Sequence, residues 1–153
     1  LSGFTALNPQ CRTVIITENK INGLCFPPME DSIIIFGLGY GIHTLATTQW
    51  LRTKAVYYWG DMDTHGFSIL SLVRSFLPQT TSFLMDRNTL LRHRHLWGRE
   101  EKRKRCLDQL HHLTDAEQTM FNDLKDNRLG DRIRLEQERI QFSRVAETVH
   151  TLQ

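Results

Sequence analysis

Val14-Ile15-Ile16, Ile33-Ile34-Ile35-Phe36 and Ala55-Val56-Tyr57-Tyr58-Trp59 are continuous apolar runs, and each gives way at once to a polar or glycine-bearing turn. A strand with one face in water alternates apolar and polar residues, whereas a strand covered on both faces reads as unbroken apolarity. These runs therefore predict buried, parallel strands. Thr81-Ser82-Phe83-Leu84-Met85 is a weaker fourth, ending at Asp86. Helix-length segments lie between them, over Ile42 to Arg52 and Phe67 to Phe76. In the latter Leu70, Val73 and Leu77 keep helical spacing and Pro78 marks the end. Strand-helix-strand repetition predicts an α/β fold with a four-stranded parallel sheet and flanking helices. Only the connection from Lys20 to Asp31 lacks a helical pattern; its Pro27-Pro28 reads as loop.

From Asn88 onward no strand pattern is visible and charge density rises. Thr114-Asp115-Ala116-Glu117 reads as an N-cap with a capping box, opening a helix through Leu124. Arg132 to Leu152 reads as a longer helix with Ile133, Ile140, Val145 and Val149 among its apolar positions. With 153 residues, the chain is expected to form one domain over 1–153, with a sheet core over 1–87 and a helical extension over 88–153. Its opening Leu1-Ser2-Gly3-Phe4 suggests a part of a longer protein. No apolar run approaches the roughly 20 residues that span a bilayer, so a soluble, cytoplasmic protein without membrane contact is expected.

Cys11, Cys25 and Cys106 form no paired spacing, which argues against a disulfide framework or a zinc site. The formal charge is only +2, but its distribution is uneven. Arg92 to Arg105 holds seven Lys/Arg against two Glu, a local +5. Arg92, Arg94, Arg99, Lys102, Arg103, Lys104 and Arg105 could contact phosphates, or could form a solvated helix face diluted by Glu100 and Glu101. His93, His95, His111 and His112 share no ligand spacing and are expected to be exposed. Trp50, Trp59 and Trp97 are expected in the core.

Loops that follow parallel strands gather at the carboxyl edge of the sheet, where open α/β folds place their sites. The first strand delivers Glu18 there, the second Gly37-Leu38-Gly39, and the third Asp61-Met62-Asp63. An Asp-x-Asp pair on extended backbone projects both carboxylates to the same side. Three converging carboxylates repel one another, and a hard divalent cation such as Mg²⁺ resolves the conflict. The plain alternative is a turn, with Asp63 capping a helix that starts near Thr64. His65 is a candidate phosphate contact or a water-facing residue at the helix start. The glycines could approach a phosphate or only shape the turn.

Gly60-Asp61-Met62-Asp63-Thr64-His65-Gly66 resembles the Gly-Asp-x-Asp-x-x-Gly form of the Toprim motif found in topoisomerase VI A subunits. Glu18 matches the Toprim glutamate after the first strand, and Gly37-Leu38-Gly39-Tyr40 resembles the Gly-x-Gly-Tyr step after the second. The basic residue and the proline that those proteins carry there are Leu38 and Gly41 here. Leu113-Thr114-Asp115-Ala116-Glu117 and Arg134-Leu135-Glu136-Gln137-Glu138-Arg139-Ile140 extend the similarity to the Toprim nuclease subunits of bacterial Wadjet anti-plasmid systems. The resemblance implies metal-dependent DNA cleavage with Mg²⁺ or Mn²⁺, held by Asp61 and Asp63, with Glu18 sharing the ion or acting as general acid/base. Glu136 and Glu138 would add acidic groups to the site or pair with Arg134 and Arg139 on a helix. It further implies a homodimer acting on plasmid or other foreign DNA beside an SMC-like motor complex.

Three other functions stay open at this stage. A non-catalytic Toprim module would bind DNA or a partner protein, and a topoisomerase-like subunit would cleave through a tyrosine. A phosphotransfer enzyme would need an aspartate where Glu18 stands. Tyr40, Tyr57 and Tyr58 lie in or beside core strands, where packing explains them.

Overall fold

The computed structural model describes residues 2–7, 9–37 and 39–152; Leu38, named above in the Gly-x-Gly turn, lies outside them. Its centre is a parallel sheet of β1 (Thr13–Thr17), β2 (Ser32–Phe36), β3 (Ala55–Trp59) and β4 (Thr81–Ser82), in the order β2-β1-β3-β4. Val14, Ile15, Ile16, Val56 and Tyr58 are all buried, as unbroken apolarity predicts for strands covered on both faces. Helices flank the sheet, an arrangement that fits a Toprim-like α/β fold. Thr17 pairs with both Phe36 and Trp59. The three long strands therefore end in line, and Glu18, Gly37 and Gly60 leave the sheet along one edge. Gly37 and Gly39 have φ of +64° and +39°, which explains glycine in this turn.

The fourth strand is shorter than its sequence suggests. Leu84 has φ +53°, and this left-handed residue turns the chain out of the ladder. Ahead of β1 lies α1 (Ser2–Ala6), and the connection after β1, expected to be loop, holds α2 (Lys20–Leu24), nucleated by Asn19, whose Oδ1 accepts from the N–H of Ile21 and Asn22. The expected helix over Ile42 to Arg52 is broken into a 3₁₀ turn Gly39–His43, α3 (Thr44–Thr47) and a second 3₁₀ turn Gln49–Thr53. There the hydroxyls of Thr47 and Thr48 both bond back to the Thr44 carbonyl, at 3.1 and 2.7 Å, in competition with the helical ladder. The next helix, α4 (Thr64–Phe76), begins three residues before the expected Phe67 because Asp63 caps it.

The second half differs most from expectation. It contains α5 (Arg87–Arg92), a two-stranded antiparallel ribbon of β5 (Gly98–Arg99) and β6 (Ile133–Arg134), α6 (Asp115–Lys125) and α7 (Phe142–Thr151). The Thr114 capping box of α6 forms as read. The single helix over Arg132 to Leu152 does not, since Arg132 has φ +51° and Leu135 pairs with Met62 through two backbone hydrogen bonds of 2.9 and 3.1 Å. This pairing holds residues 133–135 extended, and a 3₁₀ turn Gln137–Arg139 separates them from α7. Phe121, Leu135, Val145 and Val149 join the strands in one apolar cluster. Trp50 and Trp59 are buried there, while Trp97 is half-buried. His93 is buried rather than exposed, its Nδ1 2.8 Å from the Thr89 carbonyl. Among the described residues no helix is long and apolar enough to cross a membrane.

One ion pair locks α4, β4 and α6 together. Arg74 donates to both carboxylate oxygens of Glu117, at 2.5 and 2.9 Å, and Ser82 and the Thr114 N–H add bonds of 2.6 and 2.8 Å. Burial pushes the Glu117 carboxyl up, but the donors outweigh it and hold its pKa at about 2. The folded value lies below the ordinary 4.5, so the stabilisation is present above that pH and fades as pH falls toward 2. Solvent screening at the edge of the pair reduces its worth to about 2 kcal/mol. Urea unfolding at pH 5.5 and pH 2.5 is expected to show Glu117→Gln losing about 2 kcal/mol less than the wild type on acidification. An unchanged acid limb would refute this account.

Candidate functional site

Asp61 and Asp63 follow β3 on extended backbone, and Met62 between them turns into the core with no exposed surface. The two carboxylates are thereby left on the opposite side of the strand extension, and one guanidinium, that of Arg134, meets both. Its Nη2 donates to Asp61 Oδ2 at 2.6 Å, and its Nε lies 3.2 Å from Asp63 Oδ2. The remaining oxygens are held by backbone. Gln137 N–H donates to Asp61 Oδ1 at 2.8 Å, and Gly66 N–H donates to Asp63 Oδ1 at 2.7 Å. Asp63 is thus a helix N-cap and a member of the acidic pair at once.

Glu18 enters from the end of β1 and accepts a hydrogen bond at Oε1 from the buried Tyr58 hydroxyl. Tyr58 therefore does more than pack. A Cβ on Gly60 would strike the same Glu18 oxygen and lie 2.6 Å from the Tyr58 hydroxyl, so glycine is required for this approach. Glu18, Tyr58, His65 and Ser68 line an open cavity of about 600 Å³ whose other walls are largely apolar, including Ile16, Ile42, Ile69 and Leu72.

Burial raises the Glu18 carboxyl to about 8, with the charges of Asp61 and Asp63 adding to the shift and the Tyr58 bond and Arg134 opposing it. Asp63 is raised to about 7, again by burial first, with Glu100 and Asp61 adding and the Gly66 N–H and Arg134 opposing. Tyr58 is pushed well above its ordinary value by burial and by Glu18. These carboxylates resist ionising together. Oxygen donors with such a deficit of positive charge match the preferences of a hard divalent cation, and Arg134 stands where that charge is needed. Asp61, Asp63 and Glu18 are the residues that could hold one. Among the described residues no three His, Cys, Asp or Glu side chains already form a metal-ligand group.

Glu136 faces Arg134 at 3.4 Å and Arg139 at 2.7 Å, so it reaches the pair only through a guanidinium. Glu138 is exposed and bonded to the Asn19 side chain. Arg92, Arg94, Arg99, Lys102, Arg103 and Lys104 are exposed, on a segment that includes β5, the partner strand of the Arg134 strand. Arg103 and Lys104 both pair with Glu101, at 3.0 and 2.9 Å. His65 is exposed at the cavity. Arg105 is half-buried and turned inward, its side chain only 10% exposed. It donates to the Leu124 and Lys125 carbonyls at the end of α6 and pairs with Glu100.

Sequence reasoning passed over three residues that build this site. Arg134 read as a helix-surface charge. Gln137, wholly buried, donates to Thr17 Oγ1 at 2.6 Å and accepts from Asn19 N–H at 3.3 Å, stapling the end of β1 to the segment beside Asp61. Glu100 read as a dilution of basic charge, yet it is buried beneath the start of α4. It accepts from Thr64 Oγ1 at 2.7 Å and from His65 N–H at 3.0 Å.

A family model described as Wadjet protein JetD, C-terminal, matches residues 1–149. No curated protein matches the chain.

Proposed function

Because this chain belongs to the family of Wadjet protein JetD, C-terminal, we propose that this Wadjet component is a metal-dependent endonuclease that hydrolyses phosphodiester bonds of plasmid or other foreign DNA. The observation that carries the reading is the convergence of Asp61 and Asp63 on one positive charge at the carboxyl edge of a parallel sheet. Asp61 and Asp63 would hold Mg²⁺ or Mn²⁺, with Glu18 either sharing the ion from the neighbouring strand end or serving as general acid/base. A bound ion would supply Lewis-acid stabilisation of charge on the scissile phosphate and orient a water.

The protein's own groups do the rest. Gln137 and Gly66 N–H fix the carboxylate orientations, so little reorganisation is needed when a phosphate arrives. In the general acid/base role, Glu18 would be the group at the cavity wall that holds or releases a proton, its carboxyl lifted by burial to about 8 in the metal-free protein. The cavity beside it offers the strand a recess, and the exposed basic segment offers its backbone counter-charges. Tyr58 is buried and donates to Glu18, so its hydroxyl positions that carboxylate and is not itself available as a nucleophile. The functional unit in this reading is a homodimer working beside an SMC-like motor complex.

The test is cleavage of supercoiled plasmid by the full chain with Mg²⁺ or Mn²⁺. Nicking or linearisation is expected with either ion and is expected to stop with EDTA. Asp61→Asn is expected to reduce it by about a thousandfold or more, as loss of a principal charge-stabilising group does. No cutting by the full-length protein under either ion would reject the nuclease, and DNA retention by the same inactive protein would then support a binding module.

A further inference from the structure

We propose that Arg134 is a built-in counter-ion that holds the cation position between Asp61 and Asp63 until a divalent ion displaces it, which couples metal loading to the arrival of a phosphate. This rests on the metal-dependent reading above and adds a role for a residue outside the acidic set.

The geometry favours a removable occupant over a permanent strut. A structural Arg-carboxylate pair is typically a fork, with two parallel bonds to a single carboxylate. Arg134 instead spreads over three acids, at 2.6 Å from Asp61, 3.2 Å from Asp63 and 3.4 Å from Glu136. Its Nε is buried and has no hydrogen-bond partner, so the contact with Asp63 is an ion pair without a directed bond. Such a contact is Coulombic and can be replaced by any cation that approaches both carboxylates more closely.

The departing side chain has somewhere to go. Glu136 has one oxygen toward Arg134, and its other oxygen is held at 2.7 Å by Arg139, which is itself tied to the Leu96 carbonyl at 3.0 Å. A guanidinium leaving the aspartates can stay paired with Glu136 without crossing the core. Its side chain is 28% exposed, so the move opens toward solvent.

Charge bookkeeping supplies the coupling. A guanidinium and a divalent ion crowded against the same two carboxylates repel each other, whereas a phosphodiester attracts both. Metal and guanidinium therefore oppose each other without phosphate and cooperate with it. By linkage, DNA must tighten metal binding by the same factor by which metal tightens DNA binding.

The experiment is calorimetric titration of Mn²⁺ into the metal-free full chain, wild type against Arg134→Met and Arg134→Lys, with and without a short duplex oligonucleotide. Without DNA, Arg134→Met is expected to bind Mn²⁺ about tenfold more tightly than the wild type, the effect of removing one competing ion pair. Arg134→Lys keeps the charge but cannot span both carboxylates, so it is expected to fall between them. It also serves if the methionine variant does not fold. DNA is expected to tighten Mn²⁺ binding by the wild type and to have a smaller effect on the variants. Equal or weaker Mn²⁺ affinity in the variants would overturn the counter-ion role while leaving an EDTA-sensitive nuclease intact. Absence of Mn²⁺ binding by every form would remove both readings together.

Discussion

Gly66→Ala is expected to lower the unfolding free energy by about 1–3 kcal/mol and to reduce the proposed metal-dependent cleavage by about a hundredfold or more. The residue sits in the first turn of α4 and needs no unusual backbone conformation. Its requirement is one of space. A Cβ placed there would collide with the Asp61 carbonyl oxygen and lie 3.0 Å from the Asp61 carbonyl carbon. These are backbone atoms and cannot swing aside as a side-chain tip could. Either the helix start backs away, carrying off the N–H that holds Asp63 Oδ1, or the Asp61 peptide shifts with its carboxylate. Thermal unfolding and plasmid cleavage measured on the same preparation check both halves. A variant with wild-type stability and wild-type cutting would show that the contact is slack.

Glu100→Ala is expected to cost more stability, about 3–5 kcal/mol, because it breaks a buried pair and leaves Arg105 inside without a counter-charge. It also removes the acceptor of the Thr64 hydroxyl and the His65 N–H at the positive end of α4. Thr64 in turn accepts from Cys106 N–H at 2.8 Å, so the loss extends into the basic segment. The melting temperature is expected to fall by about 10 °C. Glu100→Gln keeps acceptor oxygen and shape while losing charge, and is expected to fall between alanine and wild type. A drop of less than about 2 °C for the alanine variant would show that Glu100 is a bystander.

The parts of the molecule legible from sequence were those whose signal is local. Val14-Ile15-Ile16 and Ala55 to Trp59 declare buried strands because burial on both faces leaves no polar alternation. Thr114 and Glu117 declare a helix start because a capping box is complete within four residues. The Asp-x-Asp spacing and Gly66 were visible for the same reason, although the steric cause of the glycine appears only when the Asp61 carbonyl is placed above it.

What stayed hidden depends on partners distant in the chain. Ile133 to Ile140 carries enough helix-compatible residues to read as the start of α7. The backbone bonds between Leu135 and Met62 override that propensity, and no local pattern announces them. Arg134 and Gln137 were hidden with it, since a residue misread as helix surface is never considered as a neighbour of Asp61. Glu100 was masked by its setting. A glutamate among seven basic residues looks like dilution until its carboxylate is found under a helix end. Net charge misled in a similar way at Arg105, which the sequence counts with its neighbours and the fold withdraws from them.

The Met62–Leu135 pairing also sets a timetable. A nascent chain emerges from its N-terminus, and domains fold as their sequence becomes available. All four parallel strands and the Asp61-Met62-Asp63 turn precede Asp86, so they are synthesised well before the residues that complete the site. Asp61 acquires both Arg134 and the Gln137 N–H only when the last stretch before α7 has been made and has docked. Competence is thus written into the order of synthesis. A chain stopped before residue 134 would hold the acidic turn without the Arg134 guanidinium and the Gln137 N–H that orient Asp61.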